Sequence, residues 1–279
     1  MVFGVTTVIR PAAARPRAAI GGLLRSWRQT RRVSQLELSS VSGVSSRHLS
    51  FIETGRAKPS REMVLRLAAE LDVPLRERNA LLQAAGFAPE YSETPLDAPE
   101  MAPVSDAIDT VLRGHLPYPA LVLDGRWNLV RANNAIAVFT AGLPPHLTGP
   151  TANTMRITLH PDGLAPDLVD HALVRQRFLR RVRRQAAATG DPVITALADE
   201  CEAYPHPGDA DDPTAAPPDA DIVMPFRVRR GGRILNMFST IATFGTATDL
   251  TVAELSIETF FPADAETATY LTSMASAPV

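Results

Sequence analysis

Of the chain's 279 residues one is cysteine, Cys201, so no intrachain disulfide framework is available, and a reducing cytoplasm is the expected setting. No apolar run approaches the roughly 20 residues of a membrane span. The opening stretch MVFGVTTVIRPAAARPR also lacks the continuous apolar core of a signal peptide. Catalytic signatures are equally sparse. There is no phosphate-binding glycine loop and no dinucleotide fingerprint, and His160, His171 and His206 are not spaced like the H-E-x-x-H metal motif. Cys201 stands beside acids, with no motif linking it to a histidine. HPGDADD lacks a glycine at the sixth loop position and the terminal glutamate of an EF-hand, and reads as a solvated loop. No catalysis, resident metal or cofactor is therefore expected.

What is present is divided. The net charge of −2 conceals 14 Arg and Lys against 7 Asp and Glu in residues 1–90, and 14 against 23 in residues 91–279. A basic first third ahead of an acidic remainder fits a polyanion partner for one part only, the plainer alternative being attraction between the two parts.

The pattern along the chain separates the same parts. Residues 1–17, with three Arg and two Pro, read as a flexible basic arm. Residues 18–87 read as a run of short helices. Residues 88–103, APEYSETPLDAPEMAP, hold four prolines and read as a linker. Residues 104–272 mix helices with apolar strands, and 273–279 are a tail. Within this second part the spacing predicts two strands joined through Asp124-Gly125, a helix from about Pro166 to Ala188, and a helix over DPVITALADECEAY. An acidic, proline-rich loop and three strands follow, DIVMPFRVRR, RILNMFSTIATF and TVAELSIETFFP, the first two turning at Gly231-Gly232. The sum is an antiparallel sheet of about five strands.

The most informative stretch is SQLELSSVSGVSSRHLSFIETGRAKPS, Ser34 to Ser60. Ser34 and Glu37 form a capping box, with Val33 and Leu38 at staple positions. Gly43 ends that helix, and Ser45 starts a second one with Val44 and Leu49 as staple. Two short helices about a tight turn make a helix-turn-helix. At 100° per residue Leu49 and Ile52 face inward, leaving Ser46, Arg47, Ser50 and Phe51 outward. A guanidinium reads guanine, hydroxyls read base edges, and an aromatic ring meets a thymine methyl.

LLRSWRQTRRVSQLELSSVSGVSSRHLSFIETGRAKPSREMVLRLAAELDVP resembles the five-helix DNA-binding domain of the phage Cro/C1 repressors and xenobiotic-response-element-type regulators. The resemblance implies that Gln35 binds phosphate, that Ser46, Arg47, Ser50 and Phe51 face bases, and that Arg28 and Glu53 are a structural ion pair. Arg56 and Lys58 in the following loop fit phosphate contacts that position the protein without specifying sequence. The expected partners are double-stranded DNA with a palindromic operator and a second copy of the chain.

About seventy residues suffice to bind DNA, so the remainder has another task. LSIETFFPADAETATYL, RWNLVRANNA and NTMRITLHPDGL resemble the ligand-binding domain of MmyB-type regulators, with a PAS-like architecture. The fold class is then an all-α five-helix domain followed by an α+β PAS-like domain. The resemblance implies a small apolar ligand of the fatty-acid kind. Phe139, Phe178, Met224, Phe226, Met237, Phe238 and Phe244 are candidate lining residues, and RILNMFSTIATF, uncharged on both faces, is expected to be covered on both. RQRFLRRVRR, with six arginines from Arg175 to Arg184, reads as a solvated helix pairing with acids, with direct contact to DNA as the alternative. Two alternatives remain: a DNA-bound adaptor whose second domain binds a protein, and a metal-dependent hydrolase carrying a DNA-binding domain.

Overall fold

The computed structural model describes residues 20–205, 224–245 and 247–275. The basic arm and the loop from His206 to Asp221 lie outside them. The chain divides after Glu90 into two compact units.

The first unit is five helices, α1 (Ile20–Thr30), α2 (Gln35–Ser42), α3 (Ser46–Glu53), α4 (Arg61–Glu70) and α5 (Leu75–Ala84). Its local signals work as their chemistry requires. Ser34 Oγ accepts from the Glu37 amide at 3.1 Å while Glu37 Oε2 accepts from the Ser34 amide at 2.7 Å, closing the capping box. Gly43 takes φ +69° at the end of α2, where a β-carbon would be strained. Leu24, Leu38, Leu49, Ile52, Leu67 and Leu82 form the centre of a fully buried core. At Gly21, α1 meets α3 so closely that a β-carbon would lie 2.2 Å from the Ile52 carbonyl oxygen.

The second unit is built on one sheet. Its strands are β1 (Ala120–Leu123), β2 (Leu129–Ala132), β3 (Met224–Arg230), β4 (Arg233–Thr243) and β5 (Ser256–Pro262), all antiparallel in the order β2-β1-β5-β4-β3. Helices α6 (Ala102–Gly114), α7 (Ala137–Thr140), α8 (Pro145–Thr148), α9 (Thr154–Leu159), α10 (His171–Thr189), α11 (Pro192–Glu202), α12 (Leu250–Glu254) and α13 (Ala265–Ala275) complete it. Leu121 pairs with Glu258 and Glu258 with Ile241, so these three share a face. That face carries the main core with Phe178, Met155 and Val182. The opposite face puts Ala120, Val122 and Ile257 against Ile108 and Leu112 of α6.

Several expectations need correction. The third strand is shorter than TVAELSIETFFP suggests, because Asp249 accepts from the Thr251 amide and caps a helix, α12, and β5 begins only at Ser256. The long helix starts at His171, since Leu168 and Val169 pair with β3 before it. The β1–β2 connection is five residues, not a two-residue turn. Asp124 Oδ1 gathers the amides of Arg126 and Asn128, and Trp127 takes φ +68°. By contrast β3 and β4 turn at Gly231 and Gly232, both with positive φ. The supposed tail is helical as far as Ala275. The far end of β4 is open on both faces: Thr240, Ile241, Ala242 and Thr243 are exposed.

Candidate functional site

α3 presents the face that its spacing predicts. Leu49 and Ile52 are fully buried, Arg47 is exposed, and Ser46, Ser50 and Phe51 are half-buried. The Phe51 ring lies between two guanidinium groups, Arg47 at 5.5 Å and Arg56 at 6.0 Å from its centroid. The aromatic ring therefore orients two cations, and Arg56 stands beside the outward row although it follows the helix. The turn at Thr54-Gly55 brings it back, a placement that sequence distance hides. Lys58 is exposed in the same loop.

Under this face lies a buried ion pair. Arg28 Nε donates to Glu53 Oε1 at 2.7 Å and its Nη2 donates to Oε2 at 2.9 Å. Gln35 Nε2 also donates to Glu53 Oε2, at 2.8 Å. Gln35, expected at phosphate, thus has one amide hydrogen engaged in fixing the end of α3, and its half-buried side chain sits at the start of α2. Burial raises the Glu53 pKa, but hydrogen bonds from Arg28 and Gln35 outweigh it and hold the carboxyl below the usual range.

In the second unit two pockets follow one another along the same sheet face. The inner one is lined by Phe139, Phe178, Phe226, Phe260, Ile157 and Leu164 with Ser239 and Glu258, and leaves about 50 Å³ for water-sized molecules. The outer one, about 220 Å³, is lined by Trp127, Arg181, Gln185, Ile241, Glu254 and Ser256 among others. Successive same-face positions carry the wall from one to the next: Leu121 then Leu123, Ser239 then Ile241, Glu258 then Ser256. Of the candidate lining residues, Phe139, Phe178 and Phe226 meet the inner pocket, and Met237 is buried in the adjoining core. The Met224 side chain is outside the described residues. Phe238 and Phe244 do not line it. β4 alternates, so Phe238 stacks on Phe261 on the other face and Phe244 packs toward α6.

The polar groups of this trough were not legible as such. Arg181 lies over the Trp127 ring at 4.4 Å and, among the described residues, has no hydrogen-bond or ion-pair partner. Burial lowers its pKa, with the Glu258 carboxyl opposing, yet an arginine stays charged at neutral pH. Trp127 is itself fixed, its indole Nε1 donating to Gln185 Oε1 at 2.8 Å while Gln185 Nε2 donates to the Gly125 carbonyl at 2.7 Å. A tryptophan with positive φ is a strained residue, of the kind that persists at functional positions. Helix α10 is therefore not a solvated arginine helix throughout. Arg183 pairs with Asp199 and Glu202 of α11, whereas Arg177 is buried and Arg181 turns into the trough.

Glu258 is a buried carboxyl lining the inner pocket, 5% exposed. Burial raises its pKa, against a hydrogen bond with Ser239 and the charge of Arg181. The folded chain thus keeps a proton that the unfolded chain releases. Stability should fall as pH rises from the ordinary glutamate range to the raised value, by at most about 1.4 kcal/mol per pH unit. Glu258→Gln should flatten that fall in thermal midpoints measured from the ordinary glutamate range upward. An unchanged slope in the variant would remove Glu258 as its source.

Cys201 is buried and its thiol is pushed up to about 12 by burial first and by Glu200 second, so it holds its proton at neutral pH. Among the described residues no helix is long and apolar enough to cross a membrane.

A helix-turn-helix with a cationic outer face, joined to a sheet-and-helix domain enclosing an apolar pocket, defines a DNA-binding regulator with a ligand-sensing domain. Residues 24–78 match the helix-turn-helix family, and residues 104–274 match the MmyB-like transcription regulator ligand binding domain. The second match covers more than half of the chain, which belongs to the MmyB-like transcription regulators. No curated protein matches the chain. Among solved structures it is similar, at 15% identity and a TM-score of 0.26, to one described as "Structure of an RNA-binding Light-Oxygen-Voltage Receptor". That match covers 92% of this chain and 60% of the other, and so slight a likeness carries no argument.

Proposed function

We propose that the chain is a cytoplasmic, homodimeric regulator that binds a palindromic operator through α3 and senses an anionic amphiphile of the fatty-acid kind. The observation that carries the ligand class is Arg181, a guanidinium without an ion-pair partner among the described residues, at the polar end of an apolar trough. A carboxylate head there would accept from Arg181. The tail would enter the inner pocket, whose present volume is far below the roughly 300–1,000 Å³ of small-molecule sites. Binding therefore has to widen the space between α9, α10 and the sheet. That difference between empty and filled forms is what lets a ligand shift an equilibrium between two dimer arrangements.

Extraction of the purified chain followed by mass spectrometry tests the ligand class. A co-purifying long-chain acid is the expected result. A neutral or cationic molecule in its place contradicts the assignment, and an empty domain that takes up no carboxylate favours the protein-binding adaptor.

On DNA, Ser46, Arg47, Ser50 and Phe51 are the reading residues, and Gln35, Arg56 and Lys58 hold phosphate. Half-sites would lie about one helical turn, ~34 Å, apart. Arg47→Ala should cost about 1–3 kcal/mol and relax preference at one base pair. Arg56→Ala should weaken all sequences alike and lower the salt slope by about one. Titrations of both variants against operator and scrambled duplex at several salt concentrations separate the two roles, and identical profiles would abolish the distinction.

A further inference from the structure

We propose that His146, His160 and Asp162 form a binding site for a transition-metal dication of the zinc class, outside the trough. Asp162 Oδ2 lies 3.8 Å from His146 Nε2 and 3.8 Å from His160 Nδ1. Ligand atoms about 2.0–2.1 Å from a tetrahedral zinc stand roughly 3.3 Å apart, and the three ligand atoms here all fall within 4.8 Å of one another, so a closing of between about 0.5 and 1.5 Å assembles three of the four positions. Two imidazoles and one carboxylate suit zinc, cobalt or nickel, whereas magnesium and calcium take oxygen ligands.

The three side chains are brought together by built structure. His146 comes from the short helix α8, and His160 ends α9. Asp162 follows in a turn held by the Gly163 amide on the His160 carbonyl at 2.8 Å and the Leu164 amide on the Ile157 carbonyl at 2.8 Å. A β-carbon on Gly163 would lie 2.3 Å from the Ile157 carbonyl oxygen, so the turn is pressed against α9 and needs a glycine there. His160 Nδ1 accepts from the Asp162 amide at 3.0 Å, which leaves that nitrogen unprotonated, as a ligand must be. An incoming ion would take this lone pair, and the exposed Asp162 amide would turn to water. The His160 ring is buttressed edge-on by His146 at 5.4 Å and Tyr204 at 4.9 Å between centroids.

The charge of Arg156, four residues before His160, is offset by Glu200, which accepts two bonds from it at 2.8 and 2.7 Å. Tyr204 also donates to Glu200, so the network behind His160 is closed. Spacing in sequence concealed the cluster: His146 is fourteen positions from His160, on a separate helix, and only the fold brings them within reach. The consequence lies in α9, whose Thr154, Ile157 and Thr158 line the inner pocket. A bound ion would tie α8 and the turn after α9 together and stiffen that wall.

Calorimetric titration of the full, chelator-stripped chain with zinc chloride, and separately with magnesium chloride, is the test. One equivalent of zinc should bind and magnesium should not. The double variant His146→Ala/His160→Ala should weaken zinc binding by about tenfold or more, the scale on which metal sites respond even to loss of outer partners. Asp162→Asn, which leaves both imidazoles in place, should weaken it as well. Absence of zinc binding, or equal binding by wild type and both variants, would overturn the site.

Discussion

Arg28→Ala is expected to destabilise the DNA-binding domain by about 3–5 kcal/mol, the usual cost of removing one partner from a buried ion pair. The geometry explains the size. The Arg28 and Glu53 side chains are 12% and 2% exposed, and two parallel bonds join them. Arg28→Ala strands a carboxylate inside the domain, with the Gln35 amide as its remaining side-chain donor among the described residues. Glu53→Ala should cost less, because the more exposed guanidinium can reach water. Arg28→Met combined with Glu53→Leu should recover much of the loss by removing both charges. The pKa of Glu53 is lowered by folding, so the pair's contribution is complete above the ordinary glutamate range and is lost as pH falls through the lowered value. Hydrogen exchange of the α1 and α3 amides would report the change within this unit. Single variants indistinguishable from wild type would show that α1 and α3 are held by their apolar contacts alone.

Arg181→Ala is expected to weaken binding of a long-chain carboxylate by about 10–100-fold, the equivalent of roughly 1.5–3 kcal/mol for a hydrogen bond to a charged group. The corresponding alcohol, which has the same tail and no charge, should bind the variant and the wild type alike. That contrast isolates the head group from the apolar trough, since a collapsed pocket would lose both ligands. The guanidinium has little to hold it apart from the Trp127 face, so it is free to turn toward an oxyanion. Trp127 beneath it gives a fluorescence signal for the titration. Equal losses for acid and alcohol would mean that Arg181 supports the trough and does not bind the ligand.

The helix-turn-helix was legible because its signals are local. Ser34, Glu37, Gly43 and Ser45 act within four residues of themselves, and Leu49 and Ile52 follow a single helical period. Two-fold alternation along β4 is equally legible, yet the sequence does not say which face meets the pocket, so candidates from both faces stand side by side and only the fold separates Met237 from Phe238 and Phe244. The residues that carry the proposed chemistry were hidden for a different reason. Glu258 and Arg181 are charged side chains in a strand and in an arginine-rich helix, where solvent is the ordinary expectation. Only the pairing of Glu258 with Leu121 and Ile241, and the packing of α10 on the sheet, place them indoors. Phe51 gained a second explanation from the fold, since Arg47 and Arg56 flank its ring.

A ligand bound in the second unit is expected to change what the first unit does on DNA. This coupling is tested by fluorescence anisotropy of the full chain on an operator selected from a random duplex pool, titrated with and without a saturating long-chain carboxylate. The ligand should shift wild-type operator affinity by about 5–150-fold, the usual range of coupling between sites. Arg181→Ala should keep the unliganded affinity and lose the shift at that concentration. An operator affinity that the bound carboxylate leaves unchanged would contradict the coupling.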